Sequence, residues 1–258
     1  MTKGPITPIA RFAVAERSER MNLTVLVPTR GRPQNLARLW QAFTATCQAD
    51  TRLLACVDDD DPELPAYEAV HQAAYSDGSA SADDPRFLLR VGPRIRLGPT
   101  LNAAALPVAE FADAIGFLGD DHLPRTVGWD GRYLEELERL GTGLVYGNDL
   151  IQGAALPTQV AMTSDIILAT GHMVPPGMIH LWLDNAWLAL GQALDAITYL
   201  PDVTVEHLHP IAGRAQWDAG YQECNTDALS SADRAVFEAW QQNELPGWVQ
   251  QIREYEHG

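Results

Sequence analysis

Two carboxylates, Asp120 and Asp121, follow directly on the apolar run Ile115-Gly116-Phe117-Leu118-Gly119. At the end of a buried strand such a pair can hold a divalent cation together with a diphosphate, because magnesium and manganese take oxygen ligands. Acidic pairs also occur as solvated loop residues, so the pair acquires meaning only from its surroundings. Far downstream, Val205-Glu206-His207-Leu208-His209-Pro210 puts two imidazoles on one face of an extended segment. His207 or His209 would complete a cation site built on Asp121. His122 competes for that role, and a histidine that simply packs or hydrogen-bonds is the plain alternative.

Four aspartates, Asp58 to Asp61, end a second apolar run, and arginines gather in two groups, Arg30, Arg32 and Arg38, then Arg86, Arg90, Arg94 and Arg96. Guanidinium groups bind phosphate in bidentate fashion. Scattered surface arginine is the other reading of each. Residues 213–221, Gly-Arg-Ala-Gln-Trp-Asp-Ala-Gly-Tyr, have the small and polar composition of a loop that folds over a ligand, with Arg214 and Tyr221 as the side chains to touch it. Trp129, Trp182, Trp187 and Trp217 could stack on a sugar, but burial in the core accounts for most of them.

These groups need elements to position them. Leu23 to Val27 reads as a short buried strand stopped by Pro28. Leu36, Leu39, Trp40 and Phe43 then recur at helical spacing behind Pro33, a first-turn proline. The pattern repeats: a strand over 53–57 with a helix over 64–75, a strand over 87–91 with a helix over 100–111, and a strand over 114–118 running into Asp120. Such alternation predicts an α/β fold of Rossmann type, a mostly parallel central sheet with helices on both faces. Ligands of such sheets bind beyond the carboxyl ends of the strands. The Thr29-Arg30-Gly31-Arg32 loop, the four aspartates and Asp120-Asp121-His122 all fall on that edge. The second half is less regular, with helices expected over 127–140 and 181–194, strands over 143–146, 159–163 and 204–208, and a helical pair over 231–243 and 247–255. The expected organisation is an N-terminal arm (1–20), one catalytic domain (21–225) and a C-terminal helical extension (226–258).

The chain has 258 residues and a formal charge of -16, and Lys3 is its only lysine. Bulk attraction to nucleic acid or anionic membrane is thereby disfavoured. Cys47, Cys56 and Cys224 make no disulfide framework or zinc knuckle, no apolar stretch nears the roughly 20 residues a membrane span needs, and the first residues lack a signal-peptide core. A soluble, cytoplasmic protein is expected.

The segment Val25-Leu-Val-Pro-Thr-Arg-Gly-Arg-Pro-Gln-Asn-Leu-Ala-Arg-Leu-Trp-Gln-Ala-Phe43, with the acidic strand ends, resembles the GT-A nucleotide-sugar transferases, especially the family 2-like group, over about residues 22–210. The resemblance implies a glycosyltransferase using a nucleotide-sugar donor, a uridine diphosphate sugar by preference, with Mn2+ or Mg2+ as cofactor. It assigns nucleotide contacts to Pro28, Thr29, Arg30 and Asp58, Asp59 and Asp60, with Arg32 in the same loop. Arg94 to Asn102 is similar to the family's donor-binding stretch, which brings in Arg94, Gly98 and Asn102. Gly119-Asp120-Asp121-His122 stands where the family has Asp-x-Asp, a departure, since an acid is missing at Gly119 or His122. Asp184, in Leu-Asp-Asn-Ala-Trp, matches the position of the family's catalytic carboxylate, which takes a proton from the acceptor hydroxyl and implies inversion. Asp184 also fits as a first-turn acid favoured by the helix dipole.

The competing functions are a nucleotidyltransferase, disfavoured by the missing lysine after the first strand, a metal-dependent hydrolase built on His207 and His209, and a binding module that has lost its base. The acceptor stays open among sugars, lipid carriers, proteins, small metabolites and a modified nucleobase.

Overall fold

The structure, a computed structural model, describes residues 21–214 and 216–255. The expected N-terminal arm lies outside the described residues.

The first half follows the expected alternation. Strands β1 (Leu23–Thr29), β2 (Thr51–Asp58), β3 (Phe87–Gly92) and β4 (Ala114–Phe117) alternate with helices α1 (Pro33–Thr46), α2 (Leu64–Ser76) and α3 (Leu97–Ala109). Pro33 opens α1, and its Leu36, Leu39, Trp40 and Phe43 are all buried. Each such side chain contributes about 1.5–3 kcal/mol on leaving water. The second half adds β5 (His122–Pro124), α4 (Trp129–Leu140), β6 (Leu144–Asn148), β7 (Val160–Thr163), α5 (Ser164–Thr170), α6 (Leu183–Leu194), β8 (Ile197–His207), α7 (Ala219–Cys224), α8 (Asp227–Asn243) and α9 (Leu245–Tyr255).

The eight strands form one sheet in the order β3-β2-β1-β4-β7-β6-β8-β5. Pairings among β3, β2, β1 and β4 and between β6 and β8 are parallel, while β7 and β5 run against their neighbours. Strand order reverses beside β1: the chain moves outward to β2 and β3, then returns to lay β4 on the other flank. That reversal opens a crevice at the carboxyl ends of β1 and β4, where open α/β sheets bind ligands.

Two apolar layers cover the sheet. One joins Val25 and Val27 to α1, α2 and α4 through Phe43, Tyr67 and Trp129. The other joins Leu26 and Leu54 to α3, α5 and α6, and takes in Phe237, Trp240, Trp248 and Ile252 of the two C-terminal helices. Residues 227–255 thus share the core of the sheet's second face.

Several boundaries differ from expectation. β8 begins at Ile197 rather than near Thr204, because its pairing with β6 skips from Leu200 to Thr204, and the irregularity absorbs Pro201, Asp202 and Val203. α7 replaces part of the expected loop after the histidines. α8 starts at Asp227, where the Thr226 hydroxyl accepts from the amide of Leu229 as an N-cap, rather than at Ser231. β5, too short for a periodicity to show, pairs antiparallel with β8 and sets His122 opposite His207.

Candidate functional site

β1 ends in Thr29 and β4 delivers the chain to Asp120, so their side chains meet. The Thr29 hydroxyl donates to Asp120 at 2.6 Å and lies 3.0 Å from the Tyr67 hydroxyl, which also accepts from the amide of Arg32 at 2.7 Å. Gly31, at φ 67°, turns the loop so that its amide donates to Asp61. A residue with a β-carbon is strained there. These contacts fix the Thr29–Arg32 loop before any ligand arrives.

Asp120 and Asp121 are both buried and adjacent, and they separate in acidity. Burial, followed by the charge of Asp121, pushes Asp120 up to about 6, against the pull of Arg32, Thr29 and Asn35. Asp121 is held well below the usual carboxylate range, because contacts from His122 and His207 outweigh its own burial. Asp120 therefore takes up a proton before Asp121 as the pH falls.

Around Asp121 the antiparallel pair β5 and β8 at the sheet edge brings in imidazoles. Nε2 of His207 lies 3.3 Å from Oδ2, and Nδ1 of His122 lies 3.4 Å from Oδ1. The two rings stack at 4.1 Å as cross-strand neighbours. Potential ligand atoms of Asp121, His122 and His207 all lie within 4.8 Å of one another. Nε2 of His122 is buried without a hydrogen-bond partner, and its Nδ1 accepts from the amide of Gly119 at 3.0 Å. A β-carbon on Gly119 would come 2.6 Å from Asp121 Oδ1 and 2.9 Å from His122 Nδ1, so the imidazole and carboxylate fill the space beside residue 119. The donor set, a carboxylate with imidazoles, fits a transition metal better than magnesium. His209 lines the same cavity, but its Nδ1 accepts from the amide of Ile211, and it stands outside this cluster.

The cluster opens into a cleft of about 710 Å³. Of the residues singled out in the sequence, Pro28, Thr29, Arg30, Arg32, Asp58, Arg94, Asp120, Asp121, Asp184, His207, His209 and Tyr221 line it. Arg30 donates to Asp58 at 3.0 Å and pairs with Asp60, and Arg94 and Arg96 both reach Glu223. Arg32 grips Asp218 through two nitrogens at 2.7 and 2.8 Å, and its guanidinium lies 3.8 Å from the centroid of the Tyr221 ring. Asp184, at the start of α6 on another wall of the cleft, is half-buried. Burial raises it to about 6, and the charges of His207 and Asp149 act on it from nearby.

Asp59, Asp60, Gly98, Asn102 and Arg214 do not line the cleft, nor do Arg38, Arg86, Arg90, Trp129 and Trp217. Asp59 and Asp60 are exposed, since the turn after β2 points them to solvent and sends Asp58 and Asp61 inward. Arg214 is drawn to Glu206 at 2.8 Å. Gly98 and Asn102 hold a loop. The Asn102 side-chain oxygen accepts from the amides of Met173 and Val174, and its nitrogen donates to the Val174 carbonyl. A β-carbon on Gly98 would lie 2.2 Å from the Met178 carbonyl oxygen. Their helix packs against the 171–182 loop, so both act on the wall of the cleft from behind.

Other lining residues escaped the sequence reading. Glu223 is a lone acid between Gln222 and Cys224, without a distinguishing spacing. His180, pushed down to about 4 chiefly by burial, is a lone histidine between apolar residues. The GDDH tetrapeptide itself did signal His122.

The fold has parallels. A mannosyltransferase from Pyrobaculum calidifontis, solved with GDP-Man and Mn2+, superposes with a TM-score of 0.59 over 92% of this chain and 74% of that one, at 12% identity. TarS 1-349 from S. aureus in complex with UDP-GlcNAc gives 0.58 over 91% and 71%, at 10% identity. The fold is GT-A. Glucosyl-3-phosphoglycerate synthase from Mycobacterium tuberculosis, solved with Mn2+, UDP and glucosyl-3-phosphoglycerate, extends the likeness, at 13% identity and a TM-score of 0.57 over 86% of this GT-A chain and 80% of its own. No protein-family model and no curated protein matches the sequence. Among the described residues no helix is long and apolar enough to cross a membrane.

Proposed function

We propose that this protein is a metal-dependent glycosyltransferase that moves a sugar from a nucleotide-sugar donor, a UDP-sugar by preference, onto an acceptor hydroxyl with inversion. The observation that carries the reading is the convergence of Asp121, His122 and His207 with Arg32, Arg94 and Asp184 around one cleft at the strand-order reversal of a GT-A sheet.

In this reading the nucleotide lies over Pro28, Thr29 and Asp58, and Arg30, Arg32 and Arg94 exchange their carboxylate partners for the diphosphate. Asp121, His207 and His122 would hold the cation, which supplies Lewis-acid stabilisation of the negative charge growing on the departing diphosphate. Asp184 takes the proton from the acceptor hydroxyl as that oxygen attacks the anomeric carbon from the face opposite the diphosphate. Its raised pKa makes it a stronger base than an exposed carboxylate while leaving it mostly ionised at neutral pH. Trp182, Leu183 and Trp187 line the cleft with Asp184 and offer an apolar wall for an acceptor. Residues 21–225 carry this chemistry, and the helical extension begins at 226.

The test is thermal stabilisation by UDP, GDP and their sugars with and without manganese, since a ligand of the folded state raises the midpoint. A manganese-dependent shift with one nucleotide class supports the reading and names the base. No shift with any of them, together with metal-dependent phosphoester cleavage, moves the assignment to a hydrolase.

A further inference from the structure

The segment between α5 and α6 forms the cleft wall that ends in Asp184, and its middle has no secondary structure of its own. Ile179, His180 and Leu181 belong to no helix or strand, so their amides have no ladder partner. A buried amide left without an acceptor is costly. All three are satisfied by one side chain from a distant helix. The carboxylate of Asp233, 1% exposed on α8, accepts from the amides of Ile179 at 2.8 Å, His180 at 2.8 Å and Leu181 at 2.7 Å.

The next residue, Trp182, has φ 66°, a conformation that costs a non-glycine residue of order 1–3 kcal/mol unless its surroundings enforce it. Here α8 enforces it. Phe237 stacks on the indole at 5.6 Å, Arg234 lies over it at 5.5 Å, and Ser230 accepts from the indole nitrogen at 3.4 Å. Trp182 is the N-cap of α6, so its backbone angle sets the direction in which the helix leaves and where Asp184, two residues on, stands.

We propose that Asp233 is a positioning residue of the cleft: from α8 it fixes the backbone of residues 179–181 and, with Ser230 and Phe237, sets the placement of Asp184. The importance of that placement rests on the transferase reading above, but the placement itself does not. α8 is thereby part of the site's framework, although none of its side chains needs to touch the reacting atoms.

The molecule contains its own control. Asp130 on α4 is equally buried and likewise accepts from two amides, of Gln48 and Ala49, and from the Thr51 hydroxyl, away from the cleft. The experiment compares metal-free wild type, Asp233→Asn and Asp130→Asn by carbon NMR titration of the Asp184 carboxyl and by hydrogen exchange of the amides of 179–181. The groups acting on Asp184 are His207 and Asp149, and neither is changed. The expected result is that Asp233→Asn lets water to Asp184, lowers its midpoint by one unit or more and speeds exchange at 179–181 by at least 100-fold. Asp130→Asn should do neither, while losing comparable thermal stability. UDP affinity in manganese should stay within twofold in both variants.

An unchanged Asp184 titration in Asp233→Asn, or an equal shift in Asp130→Asn, overturns the proposal. If Asp233→Asn does not fold, Phe237→Leu serves: a downward shift of the Asp184 midpoint supports the proposal and no shift overturns it. Absence of nucleotide binding by wild type would instead count against the transferase reading and leave the NMR comparison intact.

Discussion

The phenol of Tyr221 donates a 2.7 Å hydrogen bond to Oδ2 of Asp121, the carboxylate oxygen that His207 also faces. Tyr221 sits on α7, whose segment also sends Asp218 to Arg32 and Glu223 to Arg94 and Arg96. The segment therefore occupies, with its own oxygens, the groups that a metal and a diphosphate would neutralise.

Removing that phenol should release Asp121 for metal. A hydrogen bond to an ionised group is worth about 1.5–3 kcal/mol when nothing replaces it. Tyr221→Phe should bind manganese about tenfold more tightly by calorimetry without nucleotide. Weaker binding would mean that the hydroxyl supports the ion rather than competing with it.

Asp121 and Asp184 should separate cleanly. Asp121→Ala should lose the manganese-dependent thermal shift with nucleotide altogether. Asp184→Asn should keep the shift and lose turnover by about 10²–10⁴-fold, the usual range for general base catalysis. Equal nucleotide affinity in Asp121→Ala and wild type sinks the metal assignment.

Because burial raises Asp184 to about 6, the folded chain binds its proton more tightly than the unfolded chain does. Its contribution favours the folded state below the ordinary carboxylate value near 4. That contribution declines as pH rises from about 4 to 6, leaving a cost above 6. Turnover, which needs the ionised base, should rise with pH through about 6. Asp184→Asn should accordingly melt higher than wild type at pH 7, by an amount that vanishes near pH 4. A variant that melts lower at pH 7 would show the carboxylate to be a structural anchor.

Gly98 and Asn102 should prove structural. Asn102→Ala leaves the amides of Met173 and Val174 without their side-chain acceptor and should cost about 2–3 kcal/mol in urea unfolding. UDP affinity should stay within a few-fold. Gly98→Ala, with its β-carbon against a carbonyl oxygen, should cost more. A selective loss of nucleotide binding in Asn102→Ala would return that residue to the donor site.

The first half of the fold was legible because each strand is a short apolar run and each helix carries an unbroken stripe, as in α1. β8 was read only over its last residues because Pro201 and Asp202 interrupt the pattern, and a register shift is a tertiary event. The lining of the candidate cleft was legible where residue type meets a strand end, as at Thr29, Asp58 and Asp121. Gly98 and Asn102 do not line the cleft, because spacing located their helix but could not say which way its polar side chain faced. Asp233 carried no signal at all: one acid in an amphipathic helix looks like solvated surface until the fold lays three amides against it.

The pairing of His122 with His207 joins a three-residue edge strand, closed by Pro124, to the end of the longest strand in the sheet. Slipping that pairing by one residue would set Glu206 or Leu208 opposite His122, with its side chain on the other face of the sheet. A cation gripped by both imidazoles would therefore act as a proofreader of strand alignment. The loaded protein should hold β5 and β8 in one registration, and stripping the ion should loosen β5 before any other strand.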